Sequence, residues 1–221
     1  MRVFLDKKPF IAIIGDIRNS RELDSRKKIQ DKLNETLEEI NIKYQDDIES
    51  KFVITLGDEF QGLLSSGKIL LHVIQDIRMQ MHPVEIRFGI GIGEITTDIN
   101  TEMALGADGP GYYRAREAIE TIKSNEKKKR TVVADIRLEN DNEKQEILIN
   151  TIFELIRVIE QDWTERQREI IWNLLQYRDG QQRTALRMGI TQSAVHKALT
   201  KGNYYVYEKA LKNVEEFLGE I

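Results

Sequence analysis

The chain has 221 residues, of which 40% are hydrophobic and 32% charged, so it is long enough for one large domain or two small ones. Its net charge of −4 excludes a global positive field, and any contact with nucleic acid must therefore be local. The absence of cysteine excludes disulfide scaffolds, thiolate metal sites and cysteine nucleophiles, and it is typical of a reducing compartment. The first residues are charged and no run of about 18 apolar residues occurs, so we expect a cytoplasmic protein without a membrane segment.

The first part of the chain alternates between strand and helix patterns. Predicted strands cover 10–14, 51–56, 59–64, 84–94 and 131–135. Predicted helices cover a segment capped by Asp24 or Ser25, with apolar positions from Ile29 to Tyr44, and then 67–81 and 112–123. Gly57-Asp58 is a hairpin signal between the second and third strands. The order βαββαβ followed by αβ predicts an α/β (α+β) fold of the ferredoxin-like type with one extra unit.

The second part of the chain has only helical patterns. Charge-rich stretches at 126–130 and 139–144 flank the last predicted strand, so we place a domain boundary near residue 140, between domains 1–140 and 141–221. Predicted helices cover 143–162, a segment from the Thr164–Gln167 capping box to about Tyr177, then 182–188 and 191–201, and a closing amphipathic helix with Tyr207, Leu211, Val214 and Leu218 on one face.

Two aspartates mark a candidate metal site. In a ferredoxin-like sheet the first and third strands are antiparallel neighbours, so the end of the first strand, at Asp16, lies beside the hairpin at Asp58. Two carboxylates with a nearby backbone carbonyl, such as that of Ile17, suit Mg²⁺ or Mn²⁺, and a nucleoside triphosphate would complete the coordination. Glu59 is a further candidate ligand. The alternatives are that each Gly-Asp pair only forms a turn and that Glu59 is a solvated charge.

Glycines suggest two further features. Gly89, Gly91 and Gly93 alternate within a strand, and their bare face admits a closely packed helix or, less favoured, a ligand. The loop 106–111 precedes a helix, so its Gly109 and Gly111 are candidates for cradling a phosphate, although such loops also serve only as turns. The segment 62–68 nearly matches a P-loop, but Ile69 replaces the Ser or Thr that would hold Mg²⁺.

Three motifs carry a resemblance to known proteins. They are Asp16 within 13–17, Asp58 within 56–60 followed by Leu63 and Leu64, and the glycine-rich strand 86–93. Together they resemble the palm of class III nucleotide cyclases, GGDEF diguanylate cyclases and the CRISPR polymerase-cyclases, over about residues 9–135. The whole chain looks most like the SatD family, which joins such a segment to a C-terminal helical segment. The resemblance implies that Asp16 and Asp58 are metal-binding and catalytic.

The chain also departs from these families. Class III cyclases carry an Asn and an Arg on the helix after the glycine-rich loop, whereas 111–116 contains Arg114 and Arg116 but no Asn. These arginines either face nucleotide phosphates or pair with Glu117 or Glu120 on the helix surface. GGDEF enzymes have two glycines before their Asp, and Leu56 takes the first of those places here. The departures favour metal and nucleotide binding over catalysis.

The segment 183–199 has the spacing of a helix-turn-helix, with Ala185 at the helix crossing, Gly189 in the turn, Ile190 as the plug, and Val195 and Leu199 on the buried side. From Trp163 onward it resembles the fourth region of sigma factors. Seven basic residues oppose three acidic ones in this unit, a local charge of +4 that suits DNA phosphates. The candidate DNA-binding residues are Arg187, Thr191, Gln192, Ser193, His196 and Lys197. A protein-contact module is the alternative.

We therefore predict a nucleotide-cyclase-type palm joined to an all-α helix-turn-helix domain. The leading function is a cytoplasmic regulator whose palm binds Mg²⁺ or Mn²⁺ and a nucleotide and whose tail binds double-stranded DNA, with a homodimer also expected. One alternative is a nucleotidyl cyclase or polymerase-like enzyme that uses Asp16 and Asp58 to bind Mg²⁺. A second alternative is a non-catalytic scaffold that binds protein partners.

Overall fold

The computed structural model describes residues 9–20, 26–128 and 133–221. These ranges contain five strands and eight helices. The strands are β1 (Phe10–Ile17), β2 (Ile48–Ile54), β3 (Glu59–Leu64), β4 (Ile86–Gly93) and β5 (Ile136–Glu139). The helices are α1 (Arg26–Lys43), α2 (Leu70–Met81), α3 (Pro110–Lys128), α4 (Glu143–Gln161), α5 (Glu165–Tyr177), α6 (Gln181–Met188), α7 (Gln192–Lys201) and α8 (Tyr204–Gly219).

The strands form one mixed sheet in the order β2-β3-β1-β4-β5. The central strand β1 is antiparallel to both β3 and β4, and β5 adds to β4 in parallel. The predicted βαββαβ order followed by αβ is confirmed, and the first four strands have the ferredoxin-like arrangement. Residues Ile11 to Ile14 are fully buried, because helices cover β1 on both faces of the sheet.

Only β3 has the predicted bounds, and the last strand differs most from its prediction. The last strand was predicted at 131–135, but β5 begins at Ile136. In β5, Ile136 and Leu138 alternate with the charged residues Arg137 and Glu139. This segment is short and half of it is charged, so its strand signal is weaker than that of the neighbouring apolar run. Two predictions fall partly or wholly outside the described residues. They are the helix cap at Asp24 or Ser25 and the first residues of the strand predicted at 131–135.

The first strand is longer than predicted, because Gly15 and Asp16 continue β1 rather than form a turn. The Phe60 ring packs directly over Gly15, where a Cβ atom would lie only 2.0 Å from the ring carbon Cζ. A side chain at this position is therefore excluded. Leu63 and Leu64 lie in β3, which supports rejecting a P-loop over 62–68.

Helix α3 covers one face of the sheet at close range. A Cβ atom on Gly91 would lie 2.0 Å from the carbonyl oxygen of Gly111, and one on Gly89 would lie 2.2 Å from that of Ala115. The glycines of β4 thus let the α3 backbone approach the sheet, which confirms the helix-packing interpretation. Helices α1 and α2 pack against each other beside the opposite face, whose core includes Ile11 and Ile13.

The helical tail begins with α4, and its helices pack in one hydrophobic cluster with the α1 and α2 side of the sheet. Thr164 and Gln167 form the predicted capping box at the start of α5, and α6 ends at Gly189, which has a φ of 63°. The division near residue 140 stays a prediction. None of the helices in the described ranges has the length and apolar character needed to cross a bilayer.

Candidate functional site

Asp16 and Asp58 lie at the same end of the sheet. Asp16 is directly opposite Glu59 in the β1–β3 register, and Asp58 precedes Glu59 in the chain. The backbone N–H of Ile17 donates to the carbonyl oxygen of Asp58 at 3.0 Å. The topology therefore brings the two predicted aspartates together, with Glu59 beside them.

Asp16 is 7% exposed, and its side chain is bound by two cationic side chains. Its Oδ1 lies 2.9 Å from Nζ of Lys123 on α3, and its Oδ2 accepts a hydrogen bond from the guanidinium of Arg87 on β4. These cations offset the cost of burying the carboxylate. Any cation that binds Asp16 must compete with both of them.

Asp58 has a different environment, since its carboxylate accepts a hydrogen bond from the neutral hydroxyl of Ser20. Among the residues that the structure describes, no cationic side chain forms an ion pair with Asp58. Its neighbour Glu59 is 6% exposed and bound by Arg116, so the interpretation of Glu59 as a solvated charge is wrong. Of the carboxylates of Asp16, Asp58 and Glu59, that of Asp58 is therefore the one that can bind a cation without displacing a cationic side chain described here.

Neither candidate phosphate-binding arginine pairs within α3 as the alternative predicted. Arg114 donates to the backbone carbonyl of Ile92, and Arg116 binds Glu59. Both guanidinium groups reach from α3 to the sheet instead of pairing with Glu117 or Glu120. Their hydrogen-bonding capacity is therefore partly used in holding α3 to the sheet.

The glycine-rich loop lies at the other end of the sheet. Gly111 contacts Gly93, which is opposite Phe10 at the beginning of β1. Asp16 is six residues further along β1, a separation of about 20 Å at 3.3 Å per residue. The structure does not bring Gly109 and Gly111 beside the carboxylates. Gly109 has a φ of 153°, and a Cβ there would lie 2.7 Å from the carbonyl oxygen of Glu94, so the loop itself requires this glycine.

Ion pairs that the sequence analysis missed connect the candidate site to the helical tail. Seven residues of alternating charge form the series Asp16, Arg87, Glu126, Arg18, Asp135, Arg78 and Glu160. The Arg87–Glu126 and Arg18–Glu126 pairs have N–O distances of 2.7 and 2.9 Å. Arg18 lies 2.7 Å from Asp135, although these groups are not aligned for a hydrogen bond. One of these ion pairs could have been predicted from the register of β1 and β4, because Arg87 is directly opposite Asp16.

The tail end of this series is buried. Glu160 on α4 is 1% exposed and accepts hydrogen bonds from Arg78 at 2.5 and 3.1 Å and from the Tyr207 hydroxyl at 2.8 Å. Burial alone would raise the pKa of Glu160, but the charge and hydrogen bonds of Arg78 lower that pKa below its usual 4.5. Burial raises the pKa of Asp135, against the opposing effect of the arginines around it. We call this series the ion-pair network.

The second candidate site is the surface of α7. Thr191 caps the helix by accepting a hydrogen bond from the Ala194 N–H at 3.1 Å. Val195 and Leu199 are fully buried as predicted. The exposed candidate residues are Thr191, Gln192, Ser193, His196 and Lys197. They present hydroxyl, amide, imidazole and ammonium groups to solvent.

Arg187 is placed differently from these residues, because it is engaged within the tail. Its guanidinium forms two hydrogen bonds with Asp179 at 2.7 and 3.0 Å, and it lies 3.9 Å over the Tyr177 ring. Arg168 likewise donates to the carbonyl of Glu160 and contacts two tryptophan rings. The local charge of +4 therefore overstates the positive charge on the surface, where Lys197 and Lys201 are exposed.

The oxygen ligands at the sheet end fit Mg²⁺ or Mn²⁺ in chemistry. No group of three or more His, Asp and Glu side chains in the described ranges is arranged to hold a metal ion. Mg²⁺ does not need such a group, because it commonly binds one or two carboxylates together with phosphate and water oxygens. The carboxylate of Asp58, bonded to a neutral hydroxyl, meets that requirement, while Asp16 would have to exchange Lys123 or Arg87 for the metal.

Solved structures with partial similarity are nucleotide cyclases and a related domain. The guanylyl cyclase Cya2 is 13% identical, with a TM-score of 0.40 over 52% of this chain and 70% of that chain. A bacterial light-regulated adenylyl cyclase is 13% identical, with a TM-score of 0.42 over 59% of this chain and 75% of that chain. An EAL/GGDEF domain protein from M. capsulatus is 17% identical, with a TM-score of 0.39 over 62% of this chain and 88% of that chain.

No curated protein matches this sequence. The model of one protein family does match, and it covers residues 10–218, from the first residue of β1 to the last turn of α8. The match includes the sheet, the candidate carboxylate site and all the helices of the tail. The chain therefore belongs to the SatD family.

Proposed function

We propose that this protein is a cytoplasmic regulator that binds a nucleotide with Mg²⁺ or Mn²⁺ at the sheet end and double-stranded DNA through the helix-turn-helix segment, with α7 making the contacts. The observation that carries the first part is the juxtaposition of Asp16 and Asp58, linked by the 3.0 Å hydrogen bond from Ile17 to the Asp58 carbonyl. Hard oxygen ligands of this kind suit a divalent cation that also binds phosphate oxygens.

In this proposal Asp16, Asp58 and the carbonyl of Ile17 hold the metal, which neutralises charge on the nucleotide phosphates when it is bound. Asp16 would have to release Lys123 or Arg87 to take up the cation. The released ammonium or guanidinium group then lies near the incoming phosphates, where its charge favours binding. Ser20 orients the Asp58 carboxylate through its hydrogen bond.

Binding without turnover is the version that the contacts favour. The two arginines that an enzyme would use to stabilise phosphate charge are bound to the Ile92 carbonyl and to Glu59. The glycine-rich loop is about 20 Å from Asp16, too far to cradle phosphates at the same metal. These contacts give the cyclase or polymerase-like alternative less support than the binding function.

A thermal-shift experiment tests the nucleotide site. We expect a nucleoside triphosphate to raise the melting temperature of the full chain only when Mg²⁺ or Mn²⁺ is present, because a ligand that binds the folded state stabilises it. Asp58→Asn should abolish this shift, and Asp141→Asn, at an exposed position between β5 and α4, should retain it. No shift with any of the four ribonucleoside triphosphates contradicts the proposal. A new product by mass spectrometry, lost in Asp58→Asn, favours the enzyme instead.

The exposed face of α7 supports the DNA-binding part. Gln192, Ser193 and His196 offer hydrogen-bonding groups of the kind that contact base edges, and Lys197 offers a charge for a phosphate. A cleft of about 370 Å³ beside α7 is lined by three basic side chains and by four apolar ones. The basic residues are Arg166, Lys197 and Lys201, and the apolar residues are Ile170, Ile190, Ala194 and Ala198. The basic side chains suit the phosphate backbone, whereas the apolar ones are compatible with the alternative, a protein-contact module.

Fluorescence anisotropy with a labelled DNA duplex tests this part. We expect salt-dependent binding whose slope of log K against log [salt] decreases by about one in Lys197→Ala, since one phosphate contact is lost. Lys212→Ala, which removes an exposed lysine of α8, is the matched control and should leave the slope unchanged. Binding that Lys197→Ala and Gln192→Ala both leave unaltered contradicts the assignment of α7 as the DNA-contacting helix.

Coupling of the two activities is supported by the ion-pair network, whose ends are Asp16 and Glu160. If Asp16 exchanged Arg87 for a cation, Arg87 would keep its hydrogen bonds to Glu126, and the neighbouring pairs would adjust to the loss of the Asp16 contact. We expect DNA affinity to change at least about fivefold on addition of the stabilising nucleotide and metal, a coupling of about 1 kcal/mol. Equal DNA affinity with and without nucleotide, in a protein that binds both, contradicts coupling.

A further inference from the structure

Helix α4 has an apolar stripe that faces solvent. Its buried side, with Ile149, Phe153 and Ile156, packs against the core. On the opposite side Leu148 is 66% exposed, Leu155 59% and Val158 45%. Side chains of this size on one helix face, without a covering element among the described residues, mark an interaction surface.

The stripe has the spacing of a helix-pairing seam. Its six residues are Lys144, Leu148, Thr151, Leu155, Val158 and Asp162. The intervals alternate between four and three residues, which is the 3.5-residue average of paired helices. All six residues are exposed. The apolar positions occupy the middle of the stripe, and its two ends carry opposite charges.

We infer that this stripe is a homodimer interface, in which α4 pairs antiparallel with α4 of a second copy around a two-fold axis near Phe153. In that arrangement Lys144 faces Asp162 of the partner subunit, and because the axis is two-fold this ion pair forms twice. Leu148 faces Val158 of the partner subunit in the same way. The sequence of the stripe is thus complementary to itself, which an isologous interface requires.

The charges of Lys144 and Asp162 favour the antiparallel pair over a parallel one. A parallel pair would bring Lys144 against Lys144 and Asp162 against Asp162, and like charges in register are unfavourable. Neither Lys144 nor Asp162 forms an ion pair with another described residue, so both side chains are accessible to a partner. A single pair of helices is a small interface, so we expect a dissociation constant in the micromolar range.

Sedimentation equilibrium of the full chain is the first test. We expect a reversible dimer that Leu155→Glu converts to monomer, while Glu154→Gln, at an exposed neighbouring position, leaves the dimer intact. Lys144→Asp alone and Asp162→Lys alone should each weaken dimerisation at least about fivefold, and the double charge swap should restore it. Circular dichroism of each variant checks that the fold is retained. The proposal is overturned if the wild type is a monomer at a protein concentration 100-fold above the expected dissociation constant. It is also overturned if Leu155→Glu does not weaken the dimer.

Disulfide cross-linking tests the antiparallel direction independently. The chain has no cysteine, so an introduced thiol can pair only with another introduced thiol. We expect a mixture of Lys144→Cys and Asp162→Cys proteins to form a cross-linked dimer on mild oxidation, with neither protein cross-linking alone. In an antiparallel pair two copies of position 144 are about 27 Å apart, at 1.5 Å per residue, which a disulfide cannot span. Cross-linking of either protein with itself overturns the antiparallel arrangement.

Discussion

The sheet end and the surface of α7 differ in how their charged and polar groups are paired. At the sheet end Asp16 is bound by Lys123 and Arg87, and the ion-pair network continues from there to Glu160 in the interior. On α7 the polar side chains of Gln192, His196 and Lys197 face solvent. At the sheet end the charge of Asp16 is already satisfied by intramolecular contacts, whereas α7 has polar groups that only water or a partner can satisfy.

This difference implies different binding behaviour. A cation or nucleotide at Asp16 must displace an internal partner, so binding there includes a rearrangement and its effects extend to the neighbouring pairs. DNA at α7 would meet exposed groups and needs no such exchange. In the proposed function, the sheet end would therefore act as the sensor and α7 as the contact surface. Substitutions in each region test this contrast, and those in the interior of the ion-pair network should have the largest effects.

Glu160→Gln should have the largest effect on stability. The substitution leaves the guanidinium of Arg78 in a buried position without its full countercharge, and breaking a buried pair by removing one partner costs about 3 kcal/mol or more. Chemical denaturation measures the loss in free energy of unfolding. Glu154→Gln, an exposed position on the same helix, should change it by less than about 0.5 kcal/mol.

The pH dependence of the same variant gives a second measurement. Because the pKa of Glu160 is lower in the folded state than its usual 4.5, its stabilisation is fully present above that value. It is lost as the pH falls through the folded-state pKa. Wild-type stability should therefore decrease more steeply below about pH 4.5 than that of Glu160→Gln. Parallel pH profiles would show that Glu160 does not stabilise the fold as an ion.

Gly91→Ala should have the next largest effect, since a Cβ at this position would lie 2.0 Å from the Gly111 carbonyl oxygen and 2.4 Å from the Ala115 nitrogen. Both atoms are backbone, so α3 must move away from the sheet, at a cost of about 1–3 kcal/mol. Thermal denaturation measures the loss. Gly219→Ala, in the last turn of α8 with no atom nearer than 3.8 Å, should be neutral or slightly stabilising.

Thr191→Ala should cost about 1 kcal/mol of stability, because it removes the side chain that caps α7. Thr200→Ala, at an exposed position within α7, is the matched control and should change stability little. Urea unfolding of both variants separates the two cases. Equal effects would mean that the Thr191 hydroxyl does not stabilise α7 as a cap.

The arrangement of the sheet followed from local patterns and general topology. The βαββαβ order by itself places β1 between β3 and β4, and this adjacency brought Asp16 near Asp58 before any side-chain contact was known. The short β5 was misplaced because four residues with two charges carry a weak strand signal. The metal, nucleotide and DNA assignments stay predictions, since backbone topology sets which residues meet but not what they bind.

The partners of individual charged residues were beyond sequence reasoning. Arg116 extends from α3 to Glu59, 57 positions earlier in the chain, instead of pairing with a carboxylate on its own helix. Counting charges along a segment treats every arginine as exposed, but the guanidinium carbon of Arg168 lies 5.8 Å from the ring centroid of Trp163 and 5.4 Å from that of Trp172. Tertiary packing determines which groups a long, flexible side chain can reach. The hydrophobic periodicity of a single segment does not contain that information.

Arg187 gives the smallest predicted effect and the most direct test of the contrast between the regions. Its hydrogen bonds to Asp179 lower the pKa of that carboxyl and hold the α5–α6 turn against α6. We expect Arg187→Ala to reduce stability by less than Thr191→Ala does, and to leave the salt dependence of DNA binding unchanged, because this guanidinium already has an internal partner. Arg183→Ala, at an exposed position on the same helix, should leave stability unchanged. If Arg187→Ala instead lowered the salt slope by about one without affecting stability, Arg187 would have to leave Asp179 to contact a phosphate, and the tail would share the exchange mechanism assigned to the sheet end.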